Sequence, residues 1–396
     1  MKILLVNKYY YHRGGAEVYV INLEALLREN GHQVAVFSMQ HPLNLPSPYA
    51  EFFPSTVDFA SIRVRDSLKY MLRPFGSKEV KIKFARLLDL FAPDVVHLNN
   101  VHSQLSPVIA EIAYNKGIKI VWTVHDYKML CPRYDCMRNT VPCRLCHTGE
   151  KWHVIRYNCM KNNLVASAIA YGEAVKWNRK KLEKYTDTFI CPSQFMQSQL
   201  VGGGFDKAKL KVIPNFVSFT STDGNISVQR EDYYCYIGRL STEKGVETLL
   251  QAANQLPYLL KIAGKGPLFN ELKKRYESNR IEFLGHLQTD EVKTLLGNAR
   301  FSVLPSEWYE NNPLSVIESL CLGTPVLGAS IGGIPELIDE GWNGLLFASR
   351  NLDELKFQIQ QIFNNSFSFD YKAIAQTANR KFAVANHLHA LMELYG

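Results

Sequence analysis

Short apolar runs rich in Val, Ile and Leu recur along this chain, and they do not alternate polar with apolar residues. In the first half they are Ile3–Asn7, Gln33–Ser38, Asp94–Leu98, Ile118–Val124 and Thr188–Cys191. In the second they are Tyr234–Ile237, Leu259–Ala263, Ile281–Leu284, Phe301–Leu304, Pro325–Ala329 and Gly344–Phe347. A strand that is apolar on both sides has to be covered on both sides, which only a parallel sheet between two layers of helix provides. The segments between the runs carry helical periodicity. Ala16–Asn30 places Val18, Ile21, Leu26 and Leu27 on one stripe, and Gly31 stops it. The pattern predicts two Rossmann-like α/β domains, each with a parallel sheet, facing one another across a deep cleft, with ligands at the C-terminal ends of the strands.

The 396 residues, 46% of them hydrophobic, suffice for two large cores. The polar, turn-rich stretch Ser218–Asn225 reads as a linker. The expected domains are residues 1–215, with a cysteine-rich insertion at about 128–160, then residues 216–375. Residues 376–396 read as a helix that packs back on the first domain. No apolar run approaches a membrane span. The start, Met1–Asn7, turns polar too soon for a signal peptide and reads as the first strand. Eight cysteines without such a signal point to a reducing, cytoplasmic setting.

The formal net charge of +8 is uneven. Residues 1–190 hold 26 Lys and Arg against 16 Asp and Glu, whereas the remainder holds 19 against 21. The basic residues concentrate in Ile62–Arg86 and in Lys176–Lys184, interleaved with Leu68, Met71, Leu72, Phe75, Val175, Trp177 and Leu182. Such segments either form solvated helix faces or lie on an anionic membrane surface, so peripheral attachment to the inner face of the cytoplasmic membrane is the expectation. No nucleic-acid signature accompanies the charge, and nucleic acid is not expected as a partner.

The densest chemistry lies in Pro305–Glu318. Strand Phe301–Leu304 enters a polar loop that carries Glu310, and the loop enters a helix that starts at Pro313 and carries Glu318. Backbone N–H groups at a helix N-terminus suit a phosphate. One carboxylate can hold sugar hydroxyls and the other a ribose diol. Gly238–Gly245 follows the first strand of the second domain and brings Arg239 and Lys244 to a strand end, where two cations suit a pyrophosphate. Gly14 and Gly15 follow the first strand of all, where a backbone can approach a ligand closely. Gly264, Gly266, Gly285, Gly332 and Gly333 sit in further strand-end turns. Read alone, the Gly14-Gly15 motif and the further glycine turns are more readily plain turns, and Gly238–Gly245 is equally a surface loop with salt bridges. His125 ends a first-domain strand and is a structural histidine, a contact for a sugar hydroxyl or a general base.

Cysteines cluster as Cys131, Cys136, Cys143, Cys146 and Cys159, with Cys143 and Cys146 forming C-x-x-C. Cys131, Cys143, Cys146 and Cys159 could ligate a structural zinc, with His147 and His153 as substitutes. Free thiols are the alternative, with a disulfide or an iron–sulfur cluster further behind. Cys191, Cys235 and Cys321 lie in apolar surroundings and read as core.

Taken in order, these segments resemble the retaining family 4 glycosyltransferases of the GT-B fold, over nearly the whole length. The likeness is strongest from Tyr236-Ile237-Gly238-Arg239, through Glu310–Glu318, to Gly332-Gly333-Ile334-Pro335-Glu336. It implies transfer of a sugar, with retention, from a UDP- or GDP-sugar to a glycan or lipid-linked acceptor, as in bacterial surface polysaccharide assembly. It implies that Gly14 and Gly15 let the first-domain loop approach the donor, that His125 contacts the transferred sugar, and that Arg239 and Lys244 hold the diphosphate. Glu310 would bind sugar hydroxyls and Glu318 the ribose diol. Asn311, Asn312, Leu314 and Ser315 would meet sugar and phosphate, the N–H of Pro313 being absent. No metal is expected for catalysis. Many relatives carry Gly-Phe-Gly-like residues where this chain has Asn311-Asn312-Pro313, and the asparagine side chains are expected to stand in. Two other classes share the architecture: a nucleotide-sugar epimerase, and a non-catalytic nucleotide-sugar-binding partner.

Overall fold

The computed structural model describes residues 1–57, 71–217 and 229–396. The proposed linker Ser218–Asn225 and the basic residues Arg63, Arg65 and Lys69 lie outside them. The chain forms two compact units. The first comprises Met1–Cys136, Cys143–Pro214 and His387–Gly396; the second comprises Met137–Pro142 and Asn215–Asn386.

The first unit is built on a six-stranded, all-parallel sheet of β1 (Lys2–Val6), β2 (Gln33–Phe37), β3 (Val95–Leu98), β4 (Lys119–Thr123), β7 (Thr188–Cys191) and β8 (Leu210–Val212). The order is β2-β1-β3-β4-β7-β8. The chain runs one way from β1 to β2 and the other way from β3 onward, so the crevice that such sheets use for ligands opens beyond the ends of β1 and β3. The three-residue β8 was not anticipated; its single exposed lysine, Lys211, hides the apolar run that marks the others. Strand residues Ile3, Leu4, Leu5 and Val6 are fully buried, which requires helices on both faces. The helix Gly15–Glu29 supplies one of them and buries Tyr19, Val20, Leu23, Leu26 and Leu27, the spacing of a single stripe. The helix Val384–Tyr395 belongs to this unit from His387 onward. Its Tyr395 hydroxyl pairs with His97 Nδ1 at 2.5 Å, and its His387 Nε2 with the Tyr19 hydroxyl at 3.1 Å, all four side chains being buried.

A basic side chain assigned to the surface from the sequence is instead a core strut. Arg73 is completely buried, and its guanidinium reaches Glu79 (2.9 Å), the Ser55 carbonyl (2.5 Å) and the Gln104 carbonyl (2.7 Å). Lys83 is likewise tied down, donating to the Glu51 and Phe53 carbonyls. A cation with that many local acceptors ties loops together and is not offered to a membrane.

The second unit repeats the plan with β9 (Tyr233–Ile237), β10 (Leu259–Ala263), β11 (Ile281–Gly285), β12 (Ser302–Leu304), β13 (Val326–Ala329) and β14 (Gly344–Phe347). All are parallel, in the order β11-β10-β9-β12-β13-β14. Alternate residues of β9 serve opposite cores. Tyr234 and Tyr236 pack with Leu249, Ile262 and Phe301, while Tyr233 and Cys235 pack with Leu295 and Leu296. Each such fully buried side chain contributes roughly 1.5–3 kcal/mol. Here the order reverses between β9 and β12. The two loops that carry most of the expected chemistry therefore leave adjacent strand ends. A two-residue hairpin, β5 (Met137–Arg138) with β6 (Val141–Pro142), turns through Asn139 and Thr140, both at positive φ as such tight turns require.

Candidate functional site

In the second unit the loops after β9 and β12 meet. Lys244, at the end of the short 3-10 turn Thr242–Lys244, donates to Glu310 Oε1 at 2.6 Å, and the Ser306 hydroxyl donates to the same oxygen at 2.6 Å. The Glu310 side chain is 7% exposed and that of Lys244 22%. Burial alone would raise the Glu310 carboxyl. The Lys244 charge and hydrogen bonds from Lys244, Ser306 and Trp308 overcome it, and the group sits below its ordinary range, as a carboxylate. The Lys244 ammonium also lies 5.0 Å from the centre of the Trp308 ring.

Two glycines make this approach feasible. Gly245 has φ +65°, and a Cβ there would fall 1.9 Å from the Pro305 carbonyl oxygen. Gly332 also has φ +65°, and a Cβ would fall 2.2 Å from the Glu310 carbonyl oxygen, which instead accepts from the Gly333 N–H at 2.8 Å. The glycine turn after β13 is thus the backrest of Glu310. Arg239 lies more outward, 61% exposed, and pairs with Glu243 at 2.7 Å.

The helix Leu314–Cys321 begins one residue after Pro313, whose extended backbone (φ −67°, ψ 120°) leaves it outside the helix. Val316 and Ile317 donate back to the Pro313 carbonyl, while the N–H groups of Leu314 and Ser315 make no bond with described residues. Two donors at a helix start are thus left open beside Glu310. One turn on, Glu318 has no ion pair or side-chain hydrogen bond among the described residues, and burial lifts its carboxyl to about 7. Asn312 is buried and turned elsewhere: its Oδ1 accepts from the Asn215 N–H and its carbonyl from Asn215 Nδ2, both at 2.8 Å. Asn311 next to it is half-buried.

In the first unit, His125 follows β4, and its Nε2 pairs with Asn99 Oδ1 at 2.9 Å beyond the end of β3. Its ring meets Tyr19 edge-on at 5.0 Å. Burial, helped by the nearby Lys8 charge, pulls the imidazole down to about 3, so it is neutral at physiological pH. Gly14 is the extended residue before the helix Gly15–Glu29, and its carbonyl accepts from Val18. The residues missed in the sequence are supports: Ser306, Asn99 and Asn215. Each is an ordinary polar residue, and only the sheet order makes it a neighbour of its partner. Ser306 alone had a signal, its place in the Glu310 loop.

The cysteines are arranged differently from the proposed zinc set. Cys136, absent from that set, is buried, exchanges a hydrogen bond with Cys131 and lies 3.2 Å from His147 Nε2. Cys159 Sγ lies 4.0 Å from the His153 carbonyl. Among the described residues no three His, Cys, Asp or Glu side chains are grouped to hold a metal ion. Cys146 nevertheless lies within electrostatic reach of Cys131, Cys143 and Cys159, so zinc on these four stays a proposal that metal analysis of the protein tests. All eight cysteines are free thiols, and Cys191, Cys235 and Cys321 are core.

Two parallel α/β units with this sheet order have the architecture of the GT-B glycosyltransferases. Residues 13–220 match the model of glycosyltransferase family 4, and residues 221–381 that of glycosyl transferases group 1, so the chain belongs to the family 4, group 1 glycosyltransferases. A 42.6 kDa protein of the cps region of Klebsiella pneumoniae is 26% identical over 362 residues, covering 85% of this chain and 87% of its own. An uncharacterised glycosyltransferase of Methanocaldococcus jannaschii is 28% identical over 185 residues, 46% of this chain and half of that protein. The sulfoquinovosyl transferase SQD2 of Arabidopsis thaliana is 25% identical over 69% of this chain and 51% of its own. Among solved structures, the lipopolysaccharide outer core galactosyltransferase WaaB superposes with a TM-score of 0.66 at 17% identity, over 99% of both chains. Anabaena HepE, in complex with UDP-glucose, gives 0.68 at 18% identity, over 99% of this chain and 98% of that one. At that identity the likeness is one of fold.

Proposed function

We propose that this chain is a retaining, metal-independent hexosyltransferase that moves a sugar from a UDP- or GDP-sugar to a glycan or lipid-linked acceptor in bacterial surface polysaccharide assembly. One observation carries the reading. A single loop–helix segment presents Glu310 paired with Lys244, two open backbone N–H groups and the unpaired Glu318, in that order along the chain. These match the three parts of a nucleotide-sugar donor: sugar hydroxyls, diphosphate and ribose diol.

In the proposed reaction the bond between the anomeric carbon and the diphosphate oxygen breaks, and a bond to the acceptor oxygen forms on the same face. The acceptor proton passes to the departing phosphate. The leaving group gains negative charge, which Lys244, Arg239 and the Leu314 and Ser315 N–H groups stabilise. Glu310, held ionised, accepts hydrogen bonds from the sugar and orients it. Neutral His125 offers the sugar the ring nitrogen that Asn99 does not occupy. Asn312, bonded to Asn215, acts as a brace for the loop, and Asn311 is proposed as a donor contact. The relative in the cps region supports the biological setting, and the setting implies a cytoplasmic enzyme at the inner membrane face.

Calorimetric titration with UDP, GDP and ADP tests the donor site. One nucleotide should bind, and Arg239→Ala or Glu318→Ala should weaken it by roughly tenfold. Glu310→Gln should lower turnover about 100-fold with little change in nucleotide affinity. Binding of no nucleotide, or equal and negligible effects of all three changes, would sink the assignment. Conversion of the nucleotide sugar without an acceptor would make the protein an epimerase.

A further inference from the structure

The first unit holds a cavity of about 590 Å³, walled entirely by its own residues. That is the size of a site for an oligosaccharide fragment. The loops after β3 and β4 contribute His102 and the segment Lys128–Leu130, and they are the loops that carry Asn99 and His125. A second wall is the cysteine-bearing insertion, through residues 147–149 and Lys151. The remainder is Glu173–Lys180 and Gly202–Phe205.

The charge in this cavity is one-sided. Lys128, Lys151, Arg179 and Lys180 face a single carboxylate, Glu173. Glu173 is already satisfied by Lys128 at 3.0 Å and by the Ser103 N–H and hydroxyl at 2.6 and 2.8 Å. Lys151 spends two of its three ammonium hydrogens on the Leu130 and Cys146 carbonyls. Arg179 pairs with Glu183 on its own helix, and Lys180 forms no ion pair with any described residue. The uncompensated positive charge in a concave wall attracts an anion. The uncharged wall includes Trp177, whose indole N–H is anchored on the Pro74 carbonyl at 2.9 Å, with Leu130 and Phe205. These three side chains are nearly covered, so they give the cavity a firm apolar floor beside hydrogen-bonding cations, a lining that suits a sugar bearing a charged group.

We propose that this cavity is the acceptor subsite and that it grips the acceptor by an anionic group on a sugar, a phosphate or a uronic carboxylate. The proposal rests on the transferase reading above and adds the acceptor's chemical class. It also accounts for the cysteine-bearing insertion, which holds Lys151 against the cavity through the Cys146 carbonyl.

Gly202 provides a plug. It lines the cavity at the end of the helix Gln194–Gly202, and a Cβ built there meets no atom within 4 Å. Gly202→Phe therefore enters open space, whereas at Gly203 a Cβ would strike Leu130 at 2.3 Å. The full chain, Gly202→Phe and Lys180→Glu are titrated by calorimetry with galactose 1-phosphate, glucuronic acid, galactose and inorganic phosphate, and with the nucleotide as a control. The expected result is binding of galactose 1-phosphate or glucuronic acid by the wild type, about tenfold weaker in Lys180→Glu and lost in Gly202→Phe. Galactose and inorganic phosphate should bind at least tenfold more weakly, and nucleotide binding should be unchanged in both variants. Which of the two anionic sugars binds names the group. Wild-type affinity for the anionic sugars in both variants, equal binding of galactose, equal binding of inorganic phosphate, or no binding of either anionic sugar would each overturn the proposal. Loss of nucleotide binding by the wild type would instead remove the transferase reading, leaving the sugar titrations to decide the cavity.

Discussion

At the scale of single residues, the two glutamates of Pro305–Glu318 have opposite fates for a physical reason. Glu310 is buried with a cation and a hydroxyl and stays ionised; Glu318 is largely covered with no partner, and burial lifts it to about 7. Its folded value lies above its unfolded one, so the folded state binds that proton more tightly. Stability from this group is present below the unfolded value and declines as pH rises towards 7. A ribose diol donates hydrogen bonds best to the ionised form. Nucleotide affinity should therefore fall as pH drops from 8 to 6, by up to about tenfold per unit below 7, and Glu318→Gln should flatten the profile. Calorimetry across that range decides it; a pH-independent affinity in the wild type would refute the role of Glu318. Glu310 has the reverse sign. Its lowered value contributes stability above the ordinary carboxylate range that is lost as pH falls through it, and Lys244→Met should remove that contribution.

At the scale of elements, the site depends on how closely one backbone passes another. The turn after β13 comes near enough to Glu310 that Gly332 admits no side chain: its φ is +65° and the Glu310 carbonyl oxygen occupies the space of a Cβ. Gly332→Ala should displace Glu310. It should cost at least about 1–2 kcal/mol of stability from the backbone conformation alone. Turnover should fall far more than nucleotide affinity, because the Leu314–Glu318 end of the segment stays in place. Denaturant unfolding with paired kinetics measures both, and wild-type turnover would contradict the backrest role. The helix Val384–Tyr395 gives a parallel case. Tyr395→Phe removes the partner of His97 Nδ1 in a fully buried setting and should destabilise the first unit by about 1–3 kcal/mol, read by thermal unfolding.

At the scale of the whole molecule, described basic residues of the first unit that looked alike in sequence serve different ends. Arg73 and Lys83 hold loops, Lys128 and Lys151 line a cavity, and the exposed Lys78, Lys81 and Arg86 remain on the outer face of the helix Lys78–Phe91 beside exposed Ile82 and Leu90. Among the described residues no helix is long and apolar enough to cross a membrane. If the enzyme works at the inner membrane face, reversing Lys78, Lys81 and Arg86 to Glu should reduce sedimentation with anionic vesicles several-fold, since each basic residue near the surface contributes about 1 kcal/mol. Unchanged binding would leave these charges as a solvated face.

The class of fold was legible because it depends on patterns carried by consecutive residues. Apolar strands separated by amphipathic helices permit only a parallel sheet covered on both faces, and the Glu310–Glu318 segment lies within one loop and one helix. What the sequence left open depends on distance between residues far apart in the chain. Lys244 meets Glu310 because β9 and β12 are neighbours in the sheet, and strand order is set by packing of whole layers. Arg73 became a strut, Asn312 a brace for Asn215, and Cys136 the partner of His147, because each side chain's role is fixed by what the tertiary fold brings against it. Residue types and local periodicity determine which elements form and which groups stand at their ends; only the packed sheets decide which of those groups are paired, which are buried, and which are left free to meet a ligand.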